Sequence, residues 1–214
     1  MLRDMIAWAV AHSHDLEQAA GRHLSLSLTA LGAAILLALP LALALVRRPS
    51  LAGSAIGAVN VLRTIPSLAL LVAMLPLLGT GFVPAAVALT LYGLPAILLN
   101  TYTALREVDP DIVEAGLGQG MTERQLMRRI KLPLALPVIF AGIRTAAVQI
   151  VSAATLAAFI GGGGLGELIT AGMGTLDMPQ LVLGGLAVAA LAVATEIGFA
   201  LAERGVRRAV GSAA

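Results

Sequence analysis

Cysteine is absent from the 214 residues, which excludes disulfides, thiolate chemistry and cysteine metal sites. Aromatic residues make up only 3% of the chain. They are scattered, so no nucleic-acid surface with interleaved rings is spaced into the sequence. Charged residues stand at 12%, roughly half of the ~25% usual in soluble domains. The three histidines, His12, His14 and His23, sit near the amino terminus without a carboxylate-rich partner set. They read as solvated or interfacial rather than as metal ligands, and no metal site is expected.

What fills the chain instead is apolar: 58% of residues are hydrophobic, in runs of about twenty without charge, the length that crosses a ~30 Å hydrocarbon layer as a helix. The Leu/Ala-rich runs lack the alternation of barrel strands, so an all-α polytopic bundle is the expected fold class. Spans are expected at about 24–46, 56–78, 82–102, 134–160 and 180–201, with Pro40 bending the first. Asn60, Arg63, Thr64 and Pro66 interrupt the second; Asn60 and Arg63 read as interfacial anchors and Pro66 as the start of the membrane helix. Residues 1–23 form an expected amphipathic interfacial segment rather than a cleaved signal peptide, 24–204 the transmembrane domain, and 205–214 a cytoplasmic tail.

Basic residues fix an expected orientation. Arg47, Arg48, Arg106, Arg124, Arg128, Arg129, Lys131, Arg204, Arg207 and Arg208 fall on alternate connections, while 79–81 and 161–179 contain no Lys or Arg. The positive-inside rule then puts the amino terminus outside, the carboxyl terminus inside and the interval 107–133 in the cytoplasm.

That interval, EVDPDIVEAGLGQGMTERQLMRRIKLP, is the longest polar stretch. Asp111 and Glu114 have capping-box spacing, with Asp109-Pro110 an additional turn signal, so a short helix is expected to begin there and stop at Gly116, Gly118 or Gly120. Thr122 and Gln125 repeat the spacing and open a second helix, which Pro133 is expected to end. Twenty-seven residues far exceed what a bare connection between two spans needs, which points to a protruding surface.

Within it, Glu114-Ala115-Gly116, three residues, Gly120, nine residues, Ile130, one residue and Leu132-Pro133 resemble the EAA loop of binding-protein-dependent ABC importer permeases. The departure is Gly116, where that family usually carries a second alanine. RTIPSLALL at 63–71, LREVDP at 105–110 and FIGGGGLGELI at 159–169 extend the likeness over most of the chain, toward permeases for osmoprotectants such as glycine betaine and choline. Methionine and other amino-acid permeases are the runner-up.

The resemblance implies a MetI-like permease fold in the bacterial inner membrane, in which Glu114, Ala115, Gly116, Gly120, Ile130, Leu132 and Pro133 couple to an ATPase. It further implies two copies of that cytoplasmic ATPase, a second permease subunit, identical or homologous, and an extracytoplasmic substrate-binding protein. ATP and Mg would be bound by the ATPase partner; the chain has no GxxxxGK[ST] loop and no expected cofactor, catalytic residue or nucleic-acid partner.

Other candidates carry less. Tyr92, Gln149, Ser152, Thr155 and Glu196 are candidate path residues, with helix–helix bonding and an Arg144–Glu196 ion pair as the structural alternatives. Tyr102, Phe140 and Phe159 could also face a path, but no spacing makes an aromatic cage. Gly161, Gly163 and Gly166 match GxGxxG, yet follow a membrane helix rather than a strand, so a dinucleotide site is rejected. A close-packed extracytoplasmic turn is expected, with Gly163, Gly166 and Glu167 facing a binding protein. A stand-alone secondary transporter would need more intramembrane ionisable groups and inverted repeats. An embedded enzyme would need a reactive cluster at one depth, which no span shows.

Overall fold

The computed structural model describes residues 2–211, all its regular elements being helical. A short α1, Leu2–Ala11, is followed at once by α2, Ser13–Arg47, a single helix that runs through Pro40. The helix that carries the first apolar run therefore does not begin at residue 24: it reaches back to Ser13 and takes up part of the expected interfacial segment. His23 is carried inside with it, fully buried, and its Nε2–H donates to the Val151 carbonyl at 2.9 Å. This corrects the solvated or interfacial reading, because a helix extended amino-terminally puts position 23 on the same packed stripe as Leu26, Ala30 and Ala34.

The second apolar run is a broken pair. Helices α3, Pro49–Thr64, and α4, Ser67–Leu78, meet at 100°. Pro66 is the cause: its ring disfavours helical geometry at the preceding residue, and Ile65 is extended at φ −75°, ψ 124°. Among the described residues, four helices are long and apolar enough to cross a membrane, five if the bent pair serves as one.

Helix α5, Phe82–Arg106, is the centre of the bundle, with 61% of its apolar window buried, against 11% for the last helix, α10, Met178–Gly211. It packs on α2, α4 and on α8, Leu132–Ala153. The α2 stripe Ala30, Ala34, Ala38, Ala42 repeats every four residues and is fully buried. Small side chains let helix backbones approach where hydrocarbon solvent offers no hydrophobic drive. At the α5–α8 crossing a Cβ on Gly142 would lie 2.7 Å from Asn100 Cβ and 3.0 Å from the Ala96 carbonyl. Helix α10 lies outside, against α8 and the short α9, Gly166–Thr175. Exposed Leu186, Val193, Ile197 and Leu201 on α10 present an apolar surface suited to lipid or another subunit.

Candidate functional site

The polar interval folds as two capped turns around a glycine. Helix α6 spans Pro110–Gly118, and its cap is Asp109, whose carboxylate accepts from the Asp111 N–H at 2.9 Å. Asp111 is thus not the cap: Pro110 takes the first helical position, where a missing N–H costs nothing, and this moves the cap back to Asp109. At the other end Gly120 N–H donates to Leu117 O at 2.9 Å and Met121 N–H to Gly116 O at 3.2 Å. These two bonds with Gly120 at φ +78° make a Schellman stop. A side chain at Gly120 would meet open space, so the glycine is required by conformation.

Thr122 opens the next helix with both bonds of a capping box to Gln125. Four residues of α-helix, α7, Glu123–Leu126, pass through a π-turn, Met127–Lys131, directly into α8. Pro133 does not end this helix. The π-turn bonds Leu132 N–H to Met127 O, and the widened turn takes up the clash and the missing donor of a proline two positions into α8. The second short helix is therefore the first turn of the fourth span, continuous from Glu123 to Ile160.

Gly116 is the seam between the two. It is buried, and a Cβ there would lie 2.8 Å from Leu126 Cδ1 and 2.9 Å from Ile130 Cδ1. Glu114 and Ala115 are exposed, as are Ile112 and Leu117. The motif positions thus divide: Gly116 and Ile130 hold the two turns together, Gly120 shapes the join, Leu132 and Pro133 lead into the span, and Glu114 with Ala115 faces outward. Beside them opens a cleft of about 1080 Å³ lined by Arg47, Pro49, Val113, Leu117, Arg124, Arg128 and Lys131 among others.

The path candidates are not brought together as one set. Tyr92, Gln149 and Ser152 line a space of about 350 Å³ with Ser67, Val148 and Leu156. Tyr92 and Gln149 also border a neighbouring space of about 230 Å³ with Arg63, Pro95, Asn100 and Thr145. Thr155 lies elsewhere, its hydroxyl buried without a partner. Two three-residue steps drift about 120° around an α-helix, which is why a near-helical spacing did not keep it on the face of Gln149. The segment itself, Ala154–Ile160, winds as a 3₁₀ turn.

Glu196 is on the opposite side of α8, bonded to Arg144 Nη2; Arg144 Nη1 donates to Glu203 Oε2 at 3.0 Å. Glu203 is nearly buried. Arg144 is about 18 Å along α8 from Leu132 by helix rise, so one half-buried cation well along the helix clamps α10 through two carboxylates. Phe140 stacks obliquely on Phe199 of α10, centroids 5.9 Å apart, away from Tyr92, while Phe159 is exposed. Arg63, Asn100 and Thr145 at the small polar space, and Glu203 at the clamp, are the residues whose roles sequence spacing did not reveal.

In the turn at 161–166 the glycines face the protein. A Cβ on Gly163 would lie 2.8 Å from Arg22 Cγ, one on Gly164 3.0 Å from His23 Nδ1, and one on Gly166 would fall onto the Thr155 carbonyl. Gly163 and Gly166 are buried; Glu167, in the first turn of α9, is exposed beside Trp8, His12, Asp15 and Asp177. Among the described residues, no three His, Asp or Glu side chains gather around a common metal position.

Residues 30–208 match the family described as binding-protein-dependent transport system inner membrane component. The chain belongs to this family. Among curated relatives, this permease is 43% identical to the glycine betaine/carnitine/choline transport system permease protein OpuCB of Bacillus subtilis (strain 168), over 95% of this chain and 94% of that one. It is 47% identical to the choline transport system permease protein OpuBB of the same organism, over 85% and 84%. Among solved structures, the permease resembles a chain of the inward-facing MetNI methionine ABC transporter, with a TM-score of 0.80 and 25% identity over 89% of this chain and 95% of that chain. The all-α, multi-pass, MetI-like ABC permease fold follows from both.

Proposed function

We propose that this permease forms the membrane path of an ATP-driven importer for quaternary-amine osmoprotectants, glycine betaine, choline or carnitine, and is itself non-catalytic. The observation that carries the coupling half of this reading is the continuity of Thr122-capped helix with α8. A partner gripping exposed Glu114 and Ala115 displaces α6, the Gly116–Ile130 seam passes the push to α7, and α7 is rigidly part of a span. The cargo half is supported by 43–47% identity to permeases named for these amines, against 25% to the methionine transporter chain.

The working complex in this reading holds two such permease subunits, identical or homologous, two cytoplasmic ATPases that bind ATP and Mg, and an extracytoplasmic binding protein. Tyr92 is half-buried and Gln149 and Ser152 of α8 are exposed beside it, which suits a path completed by a second subunit. Positive charge on the α2–α3 corner, the coupling segment and the end of α10 supports an orientation with the amino terminus outside and the carboxyl terminus in the cytoplasm. Glu167 is then on the binding-protein side.

Glu114→Ala tests the coupling. The carboxylate is exposed, so folding is spared, and loss of a charged interface anchor of about 1–2 kcal/mol is expected to lower binding-protein-stimulated ATP hydrolysis and uptake about tenfold in the reconstituted complex. Full retention of both would refute the docking role.

A further inference from the structure

We infer that the space between α3, α5 and α8 is a cargo subsite, with Arg63 receiving a carboxylate and Tyr92 the methylated ammonium. The inference rests on the quaternary-amine reading above and adds a selectivity to it. Arg63 closes the last turn of α3, and the 100° break after it sets α3 across the bundle so that Arg63 shares a polar space with Tyr92, Asn100, Thr145 and Gln149.

Two of these polar groups are already engaged. Asn100 Nδ2 donates to Ala96 O at 2.7 Å and Thr145 Oγ1 to Ala141 O at 3.0 Å. The Arg63 guanidinium and the Gln149 amide have no partner among the described residues, in contrast to Arg144, which holds two carboxylates. Arg63 is exposed, so its guanidinium stands at the open side of this polar space with five N–H donors in a planar fork, the geometry that binds a carboxylate through two bonds.

Tyr92 borders this space and the adjoining one, whose other walls include Val148, Ala153 and Leu156. One end of the combined cavity is thus cationic and polar, the other largely apolar with an aromatic ring. A quaternary ammonium has no N–H to donate and is held by ring faces and methyl contacts, so a zwitterion with a carboxylate at one end matches the cavity end to end. A single ring, rather than a cage, makes the hold weak, as a transport step requires. Carnitine and glycine betaine carry that carboxylate; choline carries a hydroxyl in its place.

The test uses the complete complex in proteoliposomes, with the binding protein saturated by radiolabelled cargo so that its own selectivity drops out. Arg63→Gln is expected to reduce the ratio of carnitine to choline transport about tenfold or more, the loss of a charge-assisted bond pair, with Arg63→Lys intermediate. Tyr92→Leu is expected to slow both cargoes, and Tyr92→Phe to restore them, because the ring and not the hydroxyl meets the cation. An unchanged ratio in Arg63→Gln, with assembled complex recovered in wild-type yield, overturns the subsite. So does an equal loss for both cargoes, which would make Arg63 a lipid-headgroup anchor. A wild-type complex that hydrolyses ATP on binding-protein docking yet moves no quaternary amine overturns the cargo reading and the subsite with it.

Discussion

The two glycine-bearing connections on either side of the bundle use the same residue for opposite ends. In the turn at 161–166, glycine makes room: a Cβ on Gly162 would lie 2.8 Å from Ala157 Cβ and 2.9 Å from Ala85 Cβ, and the neighbours of Gly163, Gly164 and Gly166 are equally close. In the segment at 116–120, Gly118 and Gly120 have nothing within 4 Å, and Gly116 meets only the ends of three flexible side chains, Leu126, Ile130 and Met121. One connection is welded to α2, α5 and the end of α8; the other stands clear of the protein except along a single seam. A transporter driven from one side needs this asymmetry, because a push delivered to a free, internally stiff segment is useful only if the far end of the same span is held.

The largest expected effect is at the welded end. Gly166→Ala puts a methyl group onto the Thr155 backbone carbonyl, which cannot swing aside as a side chain can. Overpacking against backbone is expected to cost at least about 3 kcal/mol, read as loss of monodisperse complex on detergent extraction. A variant that purifies and melts like the wild type would show that the 161–166 turn is slack, and the contrast with the 116–120 segment would collapse.

Sequence alone carried the helical class, the number of apolar runs and the motif spacing, because these depend on local composition and on periods that a bilayer enforces. It also located the second cap, since Thr122 and Gln125 satisfy each other within one turn. What it misplaced depended on neighbours. Asp109 displaced Asp111 as the cap because Pro110 claimed the first helical position. Pro133 was absorbed by a π-turn rather than ending a helix, an outcome fixed by how Met127–Lys131 pack and not by the proline itself. Glu203 joining Glu196 on Arg144, Arg63 meeting Tyr92, and His23 reaching Val151 are all crossings between helices far apart in the chain. No periodicity within one helix encodes the face of another.

An intermediate effect is expected at the join of the free segment. Gly120→Ala forces a Cβ into a left-handed conformation at φ +78° without touching a neighbour, a cost of about 1–2 kcal/mol. The penalty should remain local: amide exchange over 116–121 rises severalfold while the melting temperature of the complex barely moves, and Gly120→Asn recovers part of the loss because asparagine tolerates this region. Global unfolding of Gly120→Ala would mean that the 116–120 segment is as tightly bound into the fold as the 161–166 turn.

The smallest effect is expected at Gly116, and it sharpens the comparison most because the position looks crowded. A Cβ would approach Leu126 Cδ1 at 2.8 Å and Ile130 Cδ1 at 2.9 Å, distances as short as those in the welded turn. Yet both atoms end flexible side chains at a partly open seam, and small rotations clear them. Alanine within α6 also gains about 1 kcal/mol of helix propensity over glycine, which offsets the repacking. Gly116→Ala is therefore expected to change stability by less than about 1 kcal/mol and to leave coupled ATP hydrolysis within twofold. The thermal melt used for Gly166→Ala and the hydrolysis assay used for Glu114→Ala measure it directly. A loss as large as that of Gly166→Ala would show that the seam, and not only the far turn, is rigid, and that the push reaches α8 through packing that cannot yield.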